Sequence, residues 1–158
     1  MALKVRDLKR LEGVHPSLAR VVVRASETCP IDFMVVEGVR SKEQMWTNYG
    51  KGRTAAECSV KGVPAKYAAP KSAKVTWLND PLKSKHAIQE DTGYGHAVDL
   101  LPAPYDWKSG VCFDMVAKSM LDAAAELGLT ITWGADWDHD GIPREKGESD
   151  SPHFQIGG

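Results

Sequence analysis

Ser84 to Leu100 reads SKHAIQEDTGYGHAVDL: two histidines and two aspartates among two glycines, turning apolar toward Pro102. The end of that stretch, GHAVDLLPA (Gly95–Ala103), has the Val and Leu content of a strand, and Pro102 and Pro104 close it because proline cannot donate to a ladder. Side chains alternate along a strand, so Ala97, Asp99 and Leu101 share one face, and His96, Val98 and Leu100 the other. Asp99 and His96 therefore point apart. His86, on the loop before the strand, is the natural partner of Asp99.

Upstream, HPSLARVVVRASETC places Leu18, Val21, Val22 and Ala25 at helical spacing behind a proline, which predicts an amphipathic helix ended by Cys29-Pro30. DFMVVEGVRS predicts a strand that runs into a loop at Gly38, with Arg40 at its mouth. SKEQMWTNYGKG begins with a capping Ser and ends at Gly50, so a short helix is expected there. Residues 51–81 show no sustained periodicity and read as a long excursion.

Downstream, FDMVAKSMLDAAAELG puts Met115, Val116, Met120, Leu121 and Ala124 on one helical stripe, stopped by Gly128. LTITWG and HFQIG predict two short strands flanking the acidic loop ADWDHDGIPREKGESDSP. No regular βαβ rhythm is present. The expected class is α+β, a single domain over residues 1–158 with a small, largely antiparallel sheet flanked by helices.

A chain of 158 residues buries a real core without disulfides or a structural metal, so a metal here is expected to do chemistry. With 42% hydrophobic residues, 26% charged and a formal net charge of −1, neither disorder nor a phosphate-binding surface is suggested, and no nucleic-acid partner is expected. Cys29, Cys58 and Cys112 lie far apart, form no C-x-x-C pair, and read as buried thiols. MALKVRDLKR carries charges where a signal peptide has its apolar core, and no apolar run reaches membrane-spanning length. A soluble cytoplasmic product and a monomer, with no signal peptide and no membrane association, are the expectations.

A catalytic zinc ion takes three protein ligands and keeps one position open. His86, His96, Asp99 and His153 lie near expected strand edges, and in the last strand His153 and Gln155 share one face while Phe154 and Ile156 share the other. His153 can then join His86 and Asp99.

Ser84-x-His86, Gly95-x-Ala97-x-Asp99, Trp133-Gly134-Ala135-Asp136-Trp137 and Asp150-x-x-His153 resemble, in that order, the motifs of the VanY-type zinc peptidases, which cleave bacterial cell-wall peptides. Within them the chain looks most like the phage endolysins that are L-alanyl-D-glutamate endopeptidases, and the likeness runs from about Leu18 to the C-terminus, Arg40 included. The resemblance implies a D-Ala-D-Ala-peptidase-like (Hedgehog-like) fold. It assigns His86, Asp99 and His153 to Zn2+, Asp150 to the general base, Arg40 to the substrate or transition state, and Ser84 to substrate or the surroundings of the metal. It implies peptidoglycan stem peptides as the partner, hydrolysis at the L-Ala-D-Glu bond, and release from the host cytoplasm to the wall by a holin-type route. A D-Ala-D-Ala carboxypeptidase or dipeptidase of the same fold, and a non-catalytic zinc-stabilised wall-binding module, are the alternatives.

In one respect the chain departs from that pattern: AIQEDTGY separates His86 from Gly95 where the family has two or three residues. Either these residues form a flap beside the metal or the site is rearranged and His96 is recruited.

DWDHDG (Asp136–Gly141) copies the first half of a calcium loop, with oxygen ligands at alternate positions. The second half fails, because Gly147 occupies the place of the bidentate Glu and Glu148 comes one residue late. A Ca2+ site and a plain acidic loop both stand. Trp46, Trp77, Trp107, Trp133 and Trp137 show no regular spacing, and core packing is expected for them.

Overall fold

His15 starts the first long helix: its Nδ1 accepts the Ser17 N–H at 3.1 Å, and Pro16 supplies a helical φ at the first position. In the computed structural model, which describes residues 3–76 and 80–157, the helices are α1 (Val5–Arg10), α2 (Pro16–Thr28), α3 (Lys42–Gly50), α4 (Ala55–Val60) and α5 (Gly110–Glu126). The strands are β1 (Phe33–Glu37), β2 (Ala97–Pro102), β3 (Ile131–Trp133) and β4 (His153–Ile156). Trp77 lies outside the described residues. The chain forms two compact units, one from the segment up to Val39 together with everything from Ile88 onward, the other from Arg40–Ala87.

The larger unit holds the antiparallel sheet, in the order β1-β2-β4-β3. Leu18, Val21, Val22 and Ala25 of α2 are fully buried, as their spacing predicts, with Phe113, Val116, Ala117 and Met120 of α5 and Val35, Val98, Leu100 and Phe154 of the strands. Each Leu, Val, Met or Phe side chain among them contributes about 1.5–3 kcal/mol by leaving water. Helix α5 ends as expected, with Gly128 at φ 71°, its N–H on the Ala125 carbonyl and the Leu129 N–H on that of Ala124. Of the expected stripe Val116, Met120 and Ala124 are buried, whereas Met115 is half-buried and Leu121 is 41% exposed, and Ala117 and Ala123 complete the buried side.

Helix α1 was not apparent in the sequence, being only six residues long. A buried carboxylate fastens it: Asp7 accepts the Lys4 N–H through Oδ2 and the Val35 N–H of β1 through Oδ1, both at 2.9 Å.

In the smaller unit, residues 51–76 are more ordered than an excursion. Thr54 and Glu57 form a capping box that starts α4, a 3-10 turn follows at Ala65–Tyr67, and Tyr49, Cys58 and Val63 make a small buried cluster against which Trp46 and Tyr67 pack. Periodicity misses such short pieces because each shows less than two turns. Cys29 and Cys58 are buried thiols as expected, and Cys112 is half-buried. The expectation for tryptophan holds for Trp133 but not for Trp107, which is 54% exposed, or Trp137, 38% exposed.

Candidate metal centre

The β2–β4 ladder sets Asp99 directly opposite His153, and residues facing each other across an antiparallel pair point to the same side. His153 Nδ1 lies 3.5 Å from Asp99 Oδ1 and 3.9 Å from Asp150 Oδ2. The His153 and Asp99 side chains are largely buried, at 10% and 17% exposure, whereas Asp150 is half in solvent.

His153 Nε2 is 2.8 Å from Gln155 Oε1 and donates to it, because an amide oxygen only accepts. The neutral ring then turns the lone pair of Nδ1 toward the Asp99 carboxylate. Two acceptors in a buried place repel unless a positive charge lies between them, so this pair fits a cation. Burial lowers the His153 pKa, but the Asp99 carboxylate, the Gln155 contact and the Asp150 charge outweigh it and raise it above 6.5. A proton and a metal ion compete for the same lone pair.

The backbone around Gly134 builds this arrangement. Gly134 donates its N–H to the His153 carbonyl (2.7 Å) and accepts the Asp150 N–H (3.1 Å), while Trp133 Nε1 donates to the Ser151 carbonyl (2.7 Å). A Cβ on Gly134 would run into the Asp150 carbonyl oxygen and reach within 3.0 Å of the His153 Cβ. Only glycine lets the Asp150–His153 turn come this close. Trp137 packs its ring 5.5 Å from the His153 ring.

His86, Ser84 and Arg40 belong to the smaller unit. Ser84 Oγ accepts the His86 N–H at 3.2 Å, its carbonyl accepts the Ala87 N–H, and the His86 carbonyl accepts the Arg40 N–H at 2.9 Å. The backbone thus brings these three together, with His86 buried and Arg40 and Ser84 half-buried. Ser84 serves the turn that presents the histidine.

His96 engages other residues, with Nε2 2.7 Å from Thr92 Oγ1 and its ring 5.6 Å from that of His15. The segment before it closes on itself: Gln89 donates to the Tyr94 carbonyl, Gly93 to that of Gln89, and Ile88 bridges Gly95. The extra residues are therefore spent on a local turn.

Asp136, Asp138, Asp140 and Glu148 form a second group, each with an oxygen within 4.8 Å of the others. Glu148 is 6% exposed; its Oε2 accepts the Asp138 N–H at 3.1 Å, and no donor among the described residues reaches the buried Oε1. Hydrogen bonding and charge from Asp140 push nearby Glu145 up to about 7. The late glutamate that breaks the linear spacing is thus the one the folded loop brings in. Sequence reasoning also missed Gln155 and Gly134 as positioning groups, although the alternation that puts Gln155 on the face of His153 was the available signal.

The family model for phage L-alanyl-D-glutamate peptidases matches residues 1–69 and 68–156. The chain is 31% identical over 156 residues to the L-alanyl-D-glutamate peptidase of Escherichia phage T5, covering 94% of this chain and 92% of that protein. The crystal structure of the Serratia marcescens L-Ala D-Glu endopeptidase ChiX superposes with a TM-score of 0.62 at 25% identity, over 99% of this chain and 90% of its own. The vancomycin-resistance D,D-pentapeptidase VanY, solved with Zn(II), gives a TM-score of 0.47 at 16% identity, over 99% of this chain and 73% of its own. With an ordered motif series, a small antiparallel sheet and a paired aspartate and histidine on it, the chain belongs to the phage L-alanyl-D-glutamate peptidase family.

Proposed function

We propose that this chain is a zinc-dependent peptidoglycan endopeptidase that hydrolyses the L-Ala-D-Glu bond of the stem peptide during phage-induced lysis, with His86, Asp99 and His153 as the metal ligands. The observation that carries the reading is the Asp99–His153 pair, whose facing acceptors suit a cation. Two neutral imidazoles and one carboxylate leave a positive centre, which suits zinc. Zinc bound there supplies a Lewis acid that polarises the scissile carbonyl and acidifies water.

The remaining steps fall to side chains. Asp150, half-exposed and close to His153, takes a proton from water and passes it to the leaving amine. Arg40 offers a planar fork to a substrate carboxylate or to the developing oxyanion. Trp137, beside His153, walls the cleft. Synthesis in the host cytoplasm followed by holin-type release to the wall completes the reading.

The test is digestion of purified peptidoglycan by the parent and by Asp150→Ala, with and without a chelator, followed by mass spectrometry of the fragments. A new alanine carboxyl with a new glutamate amine is expected, lost in the variant and on chelation. Release of D-alanine alone would make the chain a carboxypeptidase, and undiminished hydrolysis in chelator would remove zinc.

We also infer that the Asp136–Glu148 loop binds Ca2+. The buried Glu148 Oε1, with no donor among the described residues, supports this beyond the acidic cluster alone. A hard, oxygen-ligated ion fits four carboxylates. Calcium titration of the zinc-loaded chain, followed calorimetrically, should show one site that is lost in Glu148→Gln; no heat in the parent would leave a plain acidic loop.

A further inference from the structure

The net charge of −1 conceals a division between the two units. Arg40–Ala87 holds ten Lys and Arg against three Asp and Glu, a formal +7, whereas the rest of the chain holds ten against eighteen, a formal −8. Within the basic unit, Glu57 accepts the Thr54 N–H in the cap of α4 and Asp80 accepts the Leu82 N–H, so two of its three acids serve the backbone. Lys42, Lys61, Lys66, Lys71 and Lys74 are all exposed.

Two of these lysines are organised around aromatic rings. Lys42 Nζ sits 4.9 Å from the centroid of Trp46, one helical turn further along α3, and Lys66 Nζ sits 5.2 Å from that of Tyr67 in the 3-10 turn. The two rings meet at 5.6 Å and 48°. Each is half-buried, resting on the Tyr49–Cys58–Val63 cluster. Lys42 and Lys66 thus lay their ammonium groups over the adjoining rings of Trp46 and Tyr67, making one cationic and aromatic patch on a small core that holds it in place. An aromatic face suits the apolar face of a sugar ring, and flanking ammonium groups suit carboxylates.

We propose that this patch docks the chain onto the peptidoglycan strand around the bond it cleaves. The aromatic pair lies against the amino-sugar backbone and Lys42 and Lys66 pair with free carboxylates of neighbouring stem peptides. The proposal rests on the endopeptidase reading above and extends it, since an insoluble, carboxylate-rich mesh is the partner that charge complementarity selects. Exposed lysines apart from His86, Ser84 and Arg40 raise the local concentration of enzyme on such a mesh without touching the chemical step.

The test compares the full-length zinc-loaded parent with Lys42→Glu/Lys66→Glu in two assays: hydrolysis of a soluble stem peptide free of glycan, and sedimentation with, and hydrolysis of, purified sacculi. Both lysines are exposed, so thermal midpoint and peptide rate serve as controls for folding. The expected result is a peptide rate within about twofold of the parent, with retention on sacculi and rate on sacculi reduced about tenfold at low salt and the gap closing as salt screens the charges. Equal retention of parent and variant would overturn the proposal. So would parent binding to double-stranded DNA or anionic lipid vesicles as tight as to sacculi, which would show a general attraction to polyanions. A parent that sediments with sacculi in a lysine-dependent way but cleaves neither substrate would sink the reaction and leave the docking standing.

Discussion

His153 faces Asp99 across the β2–β4 ladder with Nδ1 3.5 Å from the carboxylate, and Gln155, two residues along the same strand, holds the opposite ring nitrogen. The amide therefore decides which ring nitrogen keeps its lone pair. Gln155→Leu removes that acceptor and leaves the tautomer unfixed, and the expected loss is about 10–100-fold in zinc affinity, in the range for groups that orient a metal ligand. Competition with a chromophoric chelator measures it; parent-like affinity would show that the ring is oriented by other contacts.

The raised pKa of His153 gives the metal-free protein a pH dependence with a defined sign. Burial lowers the value, and Asp99, Gln155 and Asp150 together raise it by more. Because the folded value lies above the unfolded one, the contribution to stability is fully present below about 6.5 and is lost as pH rises through the folded value. Asp99→Asn removes a main raising partner. Between about pH 6 and about pH 8, the thermal midpoint of the metal-free parent should fall more steeply than that of the variant, while zinc affinity of the parent rises as the competing proton leaves. Parallel curves would remove the ion pair from the account.

Gly134 carries a steric prediction. Its missing Cβ is the space occupied by the Asp150 carbonyl and approached by the His153 side chain. Gly134→Ala must displace the turn that holds both residues, so catalysis should fall by at least about 100-fold while the fold loses about 1–3 kcal/mol, the usual cost of overpacking. Paired measurement of activity and urea unfolding separates the two. Activity loss no greater than the fraction unfolded would show that the turn had not moved.

Much of this could be read from the sequence because strand alternation is a local property. The faces of Asp99 and His153 follow from counting residues, and so do the buried stripe of α2 and the end of α5 at Gly128. What was not legible depends on contacts distant in sequence. Helix α1 is too short to show a period and is fixed by Asp7 reaching Val35. Helix α4 and the 3-10 turn pack on a cluster whose members, Tyr49, Cys58 and Val63, follow no repeat. The charge division between the units disappears in a whole-chain sum and emerges only when the boundaries at Arg40 and Ala87 are known. In the acidic loop, linear spacing puts Gly147 at the critical place, and only folding shows that Glu148 closes the group.

Glu148 yields a prediction in which the sign of the effect reverses with the added ion. In calcium-free buffer the parent keeps a carboxylate oxygen buried with no donor among the described residues, next to three aspartates, and this opposes folding. Glu148→Gln removes the charge at nearly constant volume, so the calcium-free variant should be at least as stable as the parent. With calcium at about 100 times its dissociation constant the parent gains about 2.7 kcal/mol by mass action, and the variant, lacking the innermost ligand, gains little. Unfolding curves for both proteins, with and without calcium, should therefore cross. If calcium raised the midpoint of both equally, the ion would be binding elsewhere, and Glu148 would be a buried acid with no part in holding it.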